Sequence, residues 1–208
     1  MTELHTVVVS YQRLPLLRET LRSYRETVTL PHTLLVVDNA SDPEVTAWLR
    51  REDVMVVALD VNRYPGYATN LGWAMAPTEA RLLHRSDNDV RYLPGWCEEV
   101  VERFEDPLLG QLGLRTLAEE GPQAAVGGNC VVRRALWERG LRYSELAWSA
   151  AAPFEDAVLS HHVLAMGFRW ARVERPCVEH IGLARRDDPY YQETFAVRGI
   201  TFDEWGVE

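Results

Sequence analysis

Short apolar segments alternate with longer amphipathic segments along the first half of the chain. The apolar segments, which predict β-strands, are Thr6–Ser10, Thr33–Val37, Val54–Leu59 and Arg81–His84. The amphipathic segments, which predict helices, are Pro15–Tyr24, Pro43–Arg50, Gly66–Met75 and Pro94–Phe104. This order predicts an α/β fold with a mainly parallel central sheet and helices on both faces. The continuous Val and Leu runs are typical of strands that are buried on both sides.

The second half of the chain has a weaker pattern. It predicts a strand within Ala124–Arg134, a helix ending near Gly140, a helix at Asp156–Met166 and a strand at Phe168–Val173. No internal repeat or low-complexity linker interrupts the sequence, so we expect one domain over residues 1–208. Within it, we expect a nucleotide-binding half at 1–90, an acceptor and catalytic half at 91–183, and a tail or lid at 184–208.

Composition and charge disfavour several classes of protein. The 208 residues carry a formal net charge of −9, which argues against binding nucleic acid through its phosphates, although nucleic acid stays open as an acceptor. No apolar run reaches the roughly 18 residues of a transmembrane helix. The first residues lack the features of a signal peptide, and the three widely spaced cysteines favour reduced thiols. A cytoplasmic location is therefore predicted.

Four polar clusters follow the first four predicted strands. They are Ser10–Arg13, Asp38–Asn39, Asn62–Arg63 and Asp87–Asp89. Ligands of open parallel sheets bind beyond the carboxyl ends of the strands, so we expect these clusters to meet there. Each cluster alone is also typical of a turn, in which Asp and Asn side chains bond to nearby backbone. Four such clusters at one edge favour a ligand site.

The phosphate-binding loops of common nucleotide-binding folds are missing from the sequence. No G-x-G-x-x-G follows the first strand, and no G-x-x-x-x-G-K-[ST] occurs anywhere. Neither a dinucleotide cofactor nor a P-loop nucleotide is therefore expected. Phosphate charge could instead be neutralised by a divalent cation held by Asp89, with Asp87 bound directly or through water.

Five segments in this order resemble family 2 glycosyltransferases of the GT-A fold. They are VVDNASD, the N-x3-G-x3-N-x-G spacing from Asn62, the D-x-D motif Asp87–Asp89, GGNCVVRRALWERGL from Gly127, and FEDAVLSHHVLAMGFR from Phe154. The resemblance covers roughly residues 6–180. A D-x-D triplet alone is common, whereas the five segments in order are specific.

The resemblance implies a nucleotide-diphospho-sugar donor and a set of residues that bind it. Asp38 would hydrogen-bond the base or ribose, and main chain at Val9 and Ser10 would flank the base. Asp87 would hold ribose or sugar hydroxyls. The other donor-binding residues in the matched segments are Asn62, Asn70, Asn88, Gly128 and Asn129.

The resemblance also implies a divalent cation, Mn²⁺ or Mg²⁺. Asp89 would bind this ion, Asp87 would contribute directly or through water, and His180 would be a distant third ligand. The interpretation of His180 as an ordinary surface histidine stays equally open.

Asp156 is the implied general base, and its neighbour Glu155 is the second candidate. The base would take the proton of the acceptor hydroxyl as that oxygen attacks C1 of the sugar, in one displacement that inverts the configuration. Acidic residues in the first turn of a helix are also stabilised by the helix dipole, which is the alternative explanation. A raised pKa would help a carboxylate act as a base near neutral pH.

Two other functions stay open. A sugar-1-phosphate nucleotidyltransferase should have a glycine-rich loop after the first strand, whereas VVVSYQRLPLL contains no glycine. A domain that binds a nucleotide-sugar without turnover is disfavoured by the joint presence of Asp38, Asp89 and Asp156. The short chain leaves no room for an added acceptor domain, so we expect a soluble hydroxyl acceptor, and a homodimer is compatible with the sequence.

Overall fold

The computed structural model describes residues 3–116, 126, 128–145, 155–182, 191–192 and 195–196. Its strands are β1 Leu4–Ser10, β2 His32–Asp38, β3 Met55–Ala58, β4 Leu82–Asp87, β5 Val90–Tyr92, β6 Leu109–Gly113, β7 Cys130–Arg133, β8 Arg169–Arg172 and β9 Val178–His180. Its helices are α1 Leu14–Thr27, α2 Pro43–Leu49, α3 Tyr64–Ala74, α4 Trp96–Arg103, α5 Arg134–Glu138 and α6 Glu155–Ala165. Every strand and helix predicted for the first half is present.

Seven of the described strands form one sheet in the order β3-β2-β1-β4-β7-β6-β8. Strand β7 is antiparallel to β4 and β6, and the remaining neighbours are parallel, so six of the seven strands share a direction. Helices α3, α5 and α6 pack on the face that carries Val7 and Leu83. Helices α1, α2 and α4 pack on the other face, which carries Leu4 and Val8. The predicted mainly parallel sheet with helices on both faces is confirmed.

Two differences from the sequence prediction affect the site. Strand β4 does not end at His84 but continues to Asp87, because the polar side chains on it find partners inside the protein. Strands β5, β6 and β9 were not predicted. Two of them are three residues long, too short to show an alternating pattern, and they pair as a separate antiparallel sheet in which Val90 lies opposite His180.

The strand register brings the predicted polar clusters together. Ser10 pairs with Asp38 and Val9 pairs with Asp87, so the carboxyl ends of β1, β2 and β4 form one edge. The Asn88 side chain joins two of the loops at this edge, since its amide donates to the carbonyls of residues 11 and 12 at 3.3 and 3.4 Å. None of the described helices combines the length and apolar character needed to cross a membrane.

Candidate functional site

Asp89 lies just beyond β4, where it contacts two basic side chains. Its Oδ2 accepts a hydrogen bond from Arg13 Nη1 at 2.7 Å and lies 3.1 Å from His180 Nε2. The Asp89 and Arg13 side chains are only 9% and 8% exposed, so water screens this ion pair weakly. Burial acts to raise the pKa of Asp89, but the His180 hydrogen bond and the charge of Arg13 outweigh it and hold the pKa below its ordinary value. Asp89 is therefore an ionised carboxylate at neutral pH.

The backbone fixes His180 beside Asp89. Pairing of β9 with β5 places His180 opposite Val90, and the Asp89 carbonyl accepts the N–H groups of Ile181 and Gly182 at 2.9 and 3.3 Å. Any side chain at position 182 would collide with the Asp89 carboxylate. The close approach of the two segments therefore depends on glycine at this position.

Tyr191 packs over the same cluster. Its hydroxyl donates to the Gly182 carbonyl at 2.6 Å, and its ring centroid lies 5.2 Å from the guanidinium carbon of Arg13. This contact lies within 184–208, the part of the chain predicted to form a tail or lid. Most of that range lies outside the described residues.

Asp89 and His180, both predicted as metal ligands, are brought within 3.1 Å of each other by the fold. Among the described ranges, no three His, Cys, Asp or Glu side chains lie close enough to hold an ion by themselves. Magnesium-type ions are commonly held by one or two carboxylates together with substrate phosphates. The pair therefore fits an ion whose coordination is completed by a diphosphate, and Arg13 already places a positive group on Asp89.

Arg85 forms a second charged group on the inner part of β4. Its side chain is 4% exposed, and its Nη2 lies 2.9 Å from Glu155 Oε1 and 3.5 Å from Asp87 Oδ1. Its guanidinium carbon lies 4.9 Å from the ring centroid of Tyr143. Burial and the neighbouring Asp89 raise the pKa of Asp87, although Arg85 acts in the opposite direction.

Gly128 lies directly against this group. A Cβ atom at this position would be 2.8 and 2.9 Å from the carboxylate oxygens of Asp87 and 3.0 Å from Nη2 of Arg85. These separations are shorter than ordinary contacts, so a side chain at 128 would push the carboxylate aside. The structure thus places the predicted site residue Gly128 beside Asp87.

Helix α6 begins with two carboxylates in different environments. Glu155 is 6% exposed and paired with Arg85. Asp156 accepts the N–H of Ala157 on its Oδ1 at 2.8 Å. Burial and the adjacent charge of Glu155 raise the pKa of Asp156 to about 7, against the opposing effect of Arg85. A carboxyl group that titrates near neutral pH is suited to exchange protons there, so Asp156 fits a base better than Glu155 does.

Val9 and Ser10 lie at the edge formed by the strand ends, as predicted. Ser10 is fully buried, and its hydroxyl has no hydrogen-bond partner among the described residues. The Ser10 carbonyl accepts the N–H of Asn39 at 2.7 Å, which joins the ends of β1 and β2. The main chain of this segment therefore lies at the edge where the nucleotide base was predicted to bind.

Asp38 and Asn62 make local hydrogen bonds in the structure. Asp38 accepts the Thr46 hydroxyl at 2.8 Å and the N–H of Ser41 at 3.3 Å. Asn62 accepts the N–H of Tyr64 at 2.9 Å, just before α3. These are the turn and helix-start contacts that short polar side chains favour, and they use part of the hydrogen-bonding capacity of both residues. Donor binding by either residue stays a prediction.

Asn70 and Asn129 bond within the protein. The Asn70 amide exchanges two hydrogen bonds of 3.0 Å with the backbone of Tyr143, and its nitrogen also donates to Glu145 at 2.8 Å. Asn129 Oδ1 lies 3.1 Å from Nε2 of the buried His84. Side chains alternate along a strand, so His84 and the Asn129 amide lie on the face of β4 opposite Arg85. The structure thus does not bring the Asn129 side chain to Asp87.

Sequence reasoning assigned no role to Arg13 or Arg85. Arg85 directly follows the predicted strand Arg81–His84, so a longer strand would have placed a charged residue in the buried sheet, where it requires a partner. Arg13 carried no signal beyond its place after the first strand. Its bond to Asp89 spans 76 residues and depends on the tertiary fold.

Two comparisons of the sequence found similar proteins. The family model described as Glycosyl transferase family 2 matches residues 6–141. The O-antigen biosynthesis protein RfbC of Myxococcus xanthus is 30% identical over 121 residues, which cover 56% of this chain and 10% of that protein.

Two solved structures share the fold. The mannosyltransferase PcManGT from Pyrobaculum calidifontis, in complex with GDP-Man and Mn²⁺, has a TM-score of 0.74 at 20% identity, covering 93% of this chain and 61% of that one. S. aureus TarS in complex with UDP-GlcNAc has a TM-score of 0.63 at 14% identity, covering 93% and 64%. The chain spans less than two thirds of both solved proteins and a tenth of RfbC.

Proposed function

We propose that this chain, which belongs to glycosyl transferase family 2, transfers a sugar from a nucleotide-diphospho-sugar to a hydroxyl acceptor. Its fold is of the GT-A type that the sequence implied. One observation carries the proposal. The strand end that bears Asp87 and Asp89 is joined through Arg85 to the helix start that bears Asp156. A carboxylate pair suited to the donor and a carboxylate suited to the acceptor thus lie at one edge of the sheet.

The donor would bind at the edge formed by β1, β2 and β4. An Mn²⁺ or Mg²⁺ ion would be held by Asp89 and His180, with Asp87 beside them, and would offset the charge of the leaving diphosphate. The Mn²⁺ in the PcManGT complex supports this choice of ion. The nucleoside would lie near Val9, Ser10 and Asp38, while Gly128 leaves space beside Asp87.

Asp156 would act as the general base. Its carboxylate would accept the proton of the acceptor hydroxyl while that oxygen attacks C1 and the bond from C1 to the diphosphate breaks. The electron pair of that bond leaves with the diphosphate, and the configuration at C1 inverts. The pKa of about 7 supports this role, because a base should be ionised at working pH yet able to hold a proton. Glu155 is already paired with Arg85 and supplies charge beside the base.

The proposal is tested by calorimetric titration of the purified chain with UDP, GDP and dTDP, each with and without Mn²⁺. We expect one nucleotide to bind far more tightly when Mn²⁺ is present. The corresponding nucleotide-sugars are then incubated with the chain and a panel of soluble hydroxyl compounds, and release of nucleoside diphosphate is followed. Absence of nucleotide binding would refute the proposal. Metal-dependent binding without any release would instead indicate a nucleotide-sugar-binding domain.

Replacing Arg13 with Gln should strengthen the binding of Mn²⁺ alone. Arg13 occupies Oδ2 of Asp89, so an incoming dication must displace it or lie beside a like charge. Unit charges 4 Å apart interact by about 4 kcal/mol at an effective dielectric constant near 20, which is ample for the roughly tenfold gain in affinity that we expect. Titration of Mn²⁺ followed by electron paramagnetic resonance measures this affinity directly.

Arg18→Gln is the matched control for this prediction. Arg18 lies on α1, which Arg13 directly precedes, and its guanidinium packs over the ring of Trp48. Its replacement changes the net charge equally and should leave Mn²⁺ affinity unchanged. Equal affinity in the Arg13→Gln variant and the wild type would mean that Arg13 and the ion do not share Asp89.

A further inference from the structure

Arg85 connects the two parts of the proposed site. Among the described residues, it is the side chain that pairs both with Asp87 at the end of β4 and with Glu155 at the start of α6. The two carboxylates are 68 positions apart in the sequence (155 − 87), and they approach the same guanidinium nitrogen, Nη2. Nη2 of Arg85 thus links the end of β4 to the start of α6.

The burial of Arg85 is costly for the fold. The side chain is 4% exposed, and its Nε and Nη1 are buried without hydrogen-bond partners among the described residues. Replacing a buried ion pair with apolar side chains of similar volume is often neutral or stabilising. A guanidinium with two unbonded nitrogens in the interior is thus poorly explained by stability, which favours a role in the reaction.

The surroundings of Arg85 hold it in one position. Its backbone pairs with Cys130 of β7, and its guanidinium lies over the ring of Tyr143. Tyr143 is itself fixed, because its backbone N–H and carbonyl both bond to the Asn70 amide at 3.0 Å. Glu155 therefore pairs with a rigid cation, and Asp156 is the next residue of the same helix.

We propose that Arg85 is a positioning residue that fixes Asp156 relative to the bound donor by holding Glu155 against the end of β4. The proposal rests on the proposed transfer reaction. Arg85 acts through Glu155 and Asp87 and touches neither the acceptor hydroxyl nor C1. An in-line displacement requires that the base, the acceptor oxygen and C1 are aligned. Loss of the Arg85 ion pairs should therefore lower kcat strongly and leave the affinity for the donor nucleotide nearly unchanged.

The test uses Arg85→Met, Arg85→Lys and the double variant Arg85→Met/Glu155→Gln. Release of nucleoside diphosphate gives kcat, and calorimetry gives the Kd of the nucleotide selected by the panel above. Misplacing a reacting group by about 1 Å can lower the rate roughly a hundredfold. We therefore expect kcat to fall by about a hundredfold in Arg85→Met and in the double variant, because Asp156 is no longer held in place. The nucleotide Kd should change by less than about threefold, and Arg85→Lys should recover part of the rate.

The double variant separates positioning from charge neutralisation. It removes the charge of Arg85 together with that of Glu155, the carboxylate 2.9 Å away, so only the partly exposed Asp87 loses a partner, and it serves even where Arg85→Met fails to fold. Wild-type kcat in the double variant would overturn the proposal, because Arg85 would then only neutralise Glu155. Arg81→Met is the matched control, since Arg81 is exposed and precedes the other end of β4.

Failure of this inference is distinguishable from failure of the proposed function. A wild-type chain that binds no nucleotide and releases no diphosphate refutes the transfer reaction, and the role of Arg85 falls with it. A wild-type chain that turns over, together with a double variant of equal kcat, refutes only the role of Arg85.

Discussion

Asp89→Asn should abolish the Mn²⁺-dependent part of nucleotide binding while leaving the protein folded. Asparagine keeps the shape of the side chain and an oxygen that accepts from Arg13, but it removes the charge that would hold the ion. Electrostatic stabilisation by a bound metal is worth several kcal/mol, so we expect affinity in the presence of Mn²⁺ to fall at least about a hundredfold. Calorimetry with the nucleotide chosen by the panel, at fixed Mn²⁺ concentration, measures the loss.

Asp53→Asn provides the control for Asp89→Asn. Asp53 lies just before β3, at the end of the sheet away from the strand ends that form the site, so the same change of charge there should not affect binding. In the absence of Mn²⁺, the wild type, Asp89→Asn and Asp53→Asn should bind the nucleotide with similar affinity. If Asp89→Asn kept the Mn²⁺ dependence of the wild type, the ion would have to bind elsewhere and the D-x-D motif would be only a turn.

The edge at which the site lies could be predicted from sequence because it follows from local patterns. Parallel strands end at the same side of a sheet, so polar residues placed directly after the first four apolar segments had to converge. The register of Ser10 with Asp38 and of Val9 with Asp87 realises this. No knowledge of side-chain contacts was required for that step.

The ion pairs at the site could not be predicted, because they join residues that are distant in the sequence. The bond from Arg13 to Asp89 spans 76 residues, and the contact of His180 with Asp89 spans 91. The latter depends on the pairing of β5 with β9, whose short strands leave no periodic signal. His180 entered the prediction through family resemblance and not through spacing.

Asn129 illustrates a different limit. The matched segment identified both Gly128 and Asn129 as site residues, but these two residues, which directly precede β7, have different surroundings. Gly128 lies against Asp87, whereas the Asn129 amide bonds to the buried His84. To predict which of these two residues faces the site, one must know where β7 begins and how it pairs with β4. The glycine-rich sequence before β7 gives no pattern from which either can be predicted.

Asp156→Asn should lower kcat by roughly 10²–10⁴-fold, the usual contribution of a general base. The amide has nearly the same shape and can still accept the N–H of Ala157, but it cannot take the proton of the acceptor hydroxyl. Nucleotide affinity should be unchanged, since Asp156 is assigned to the acceptor. Wild-type kcat in Asp156→Asn would mean that another residue acts as the base. Asp53→Asn again serves as the control for the change of charge.

The dependence of kcat/KM on pH, which reports the pKa values of the free enzyme, should identify the same carboxylate independently. Burial and the charge of Glu155 raise the pKa of Asp156 to about 7, and the base works only when ionised. The rate should therefore fall as pH drops below about 7, and the residual rate of Asp156→Asn should lose this dependence. In Glu155→Gln the charge that raises the pKa of Asp156 is absent, so the midpoint should move to lower pH even though the maximal rate is reduced. If the Asp156→Asn variant kept the pH dependence, the titrating group would not be Asp156, whereas a midpoint that stayed fixed in Glu155→Gln would mean that burial alone raises the pKa of Asp156.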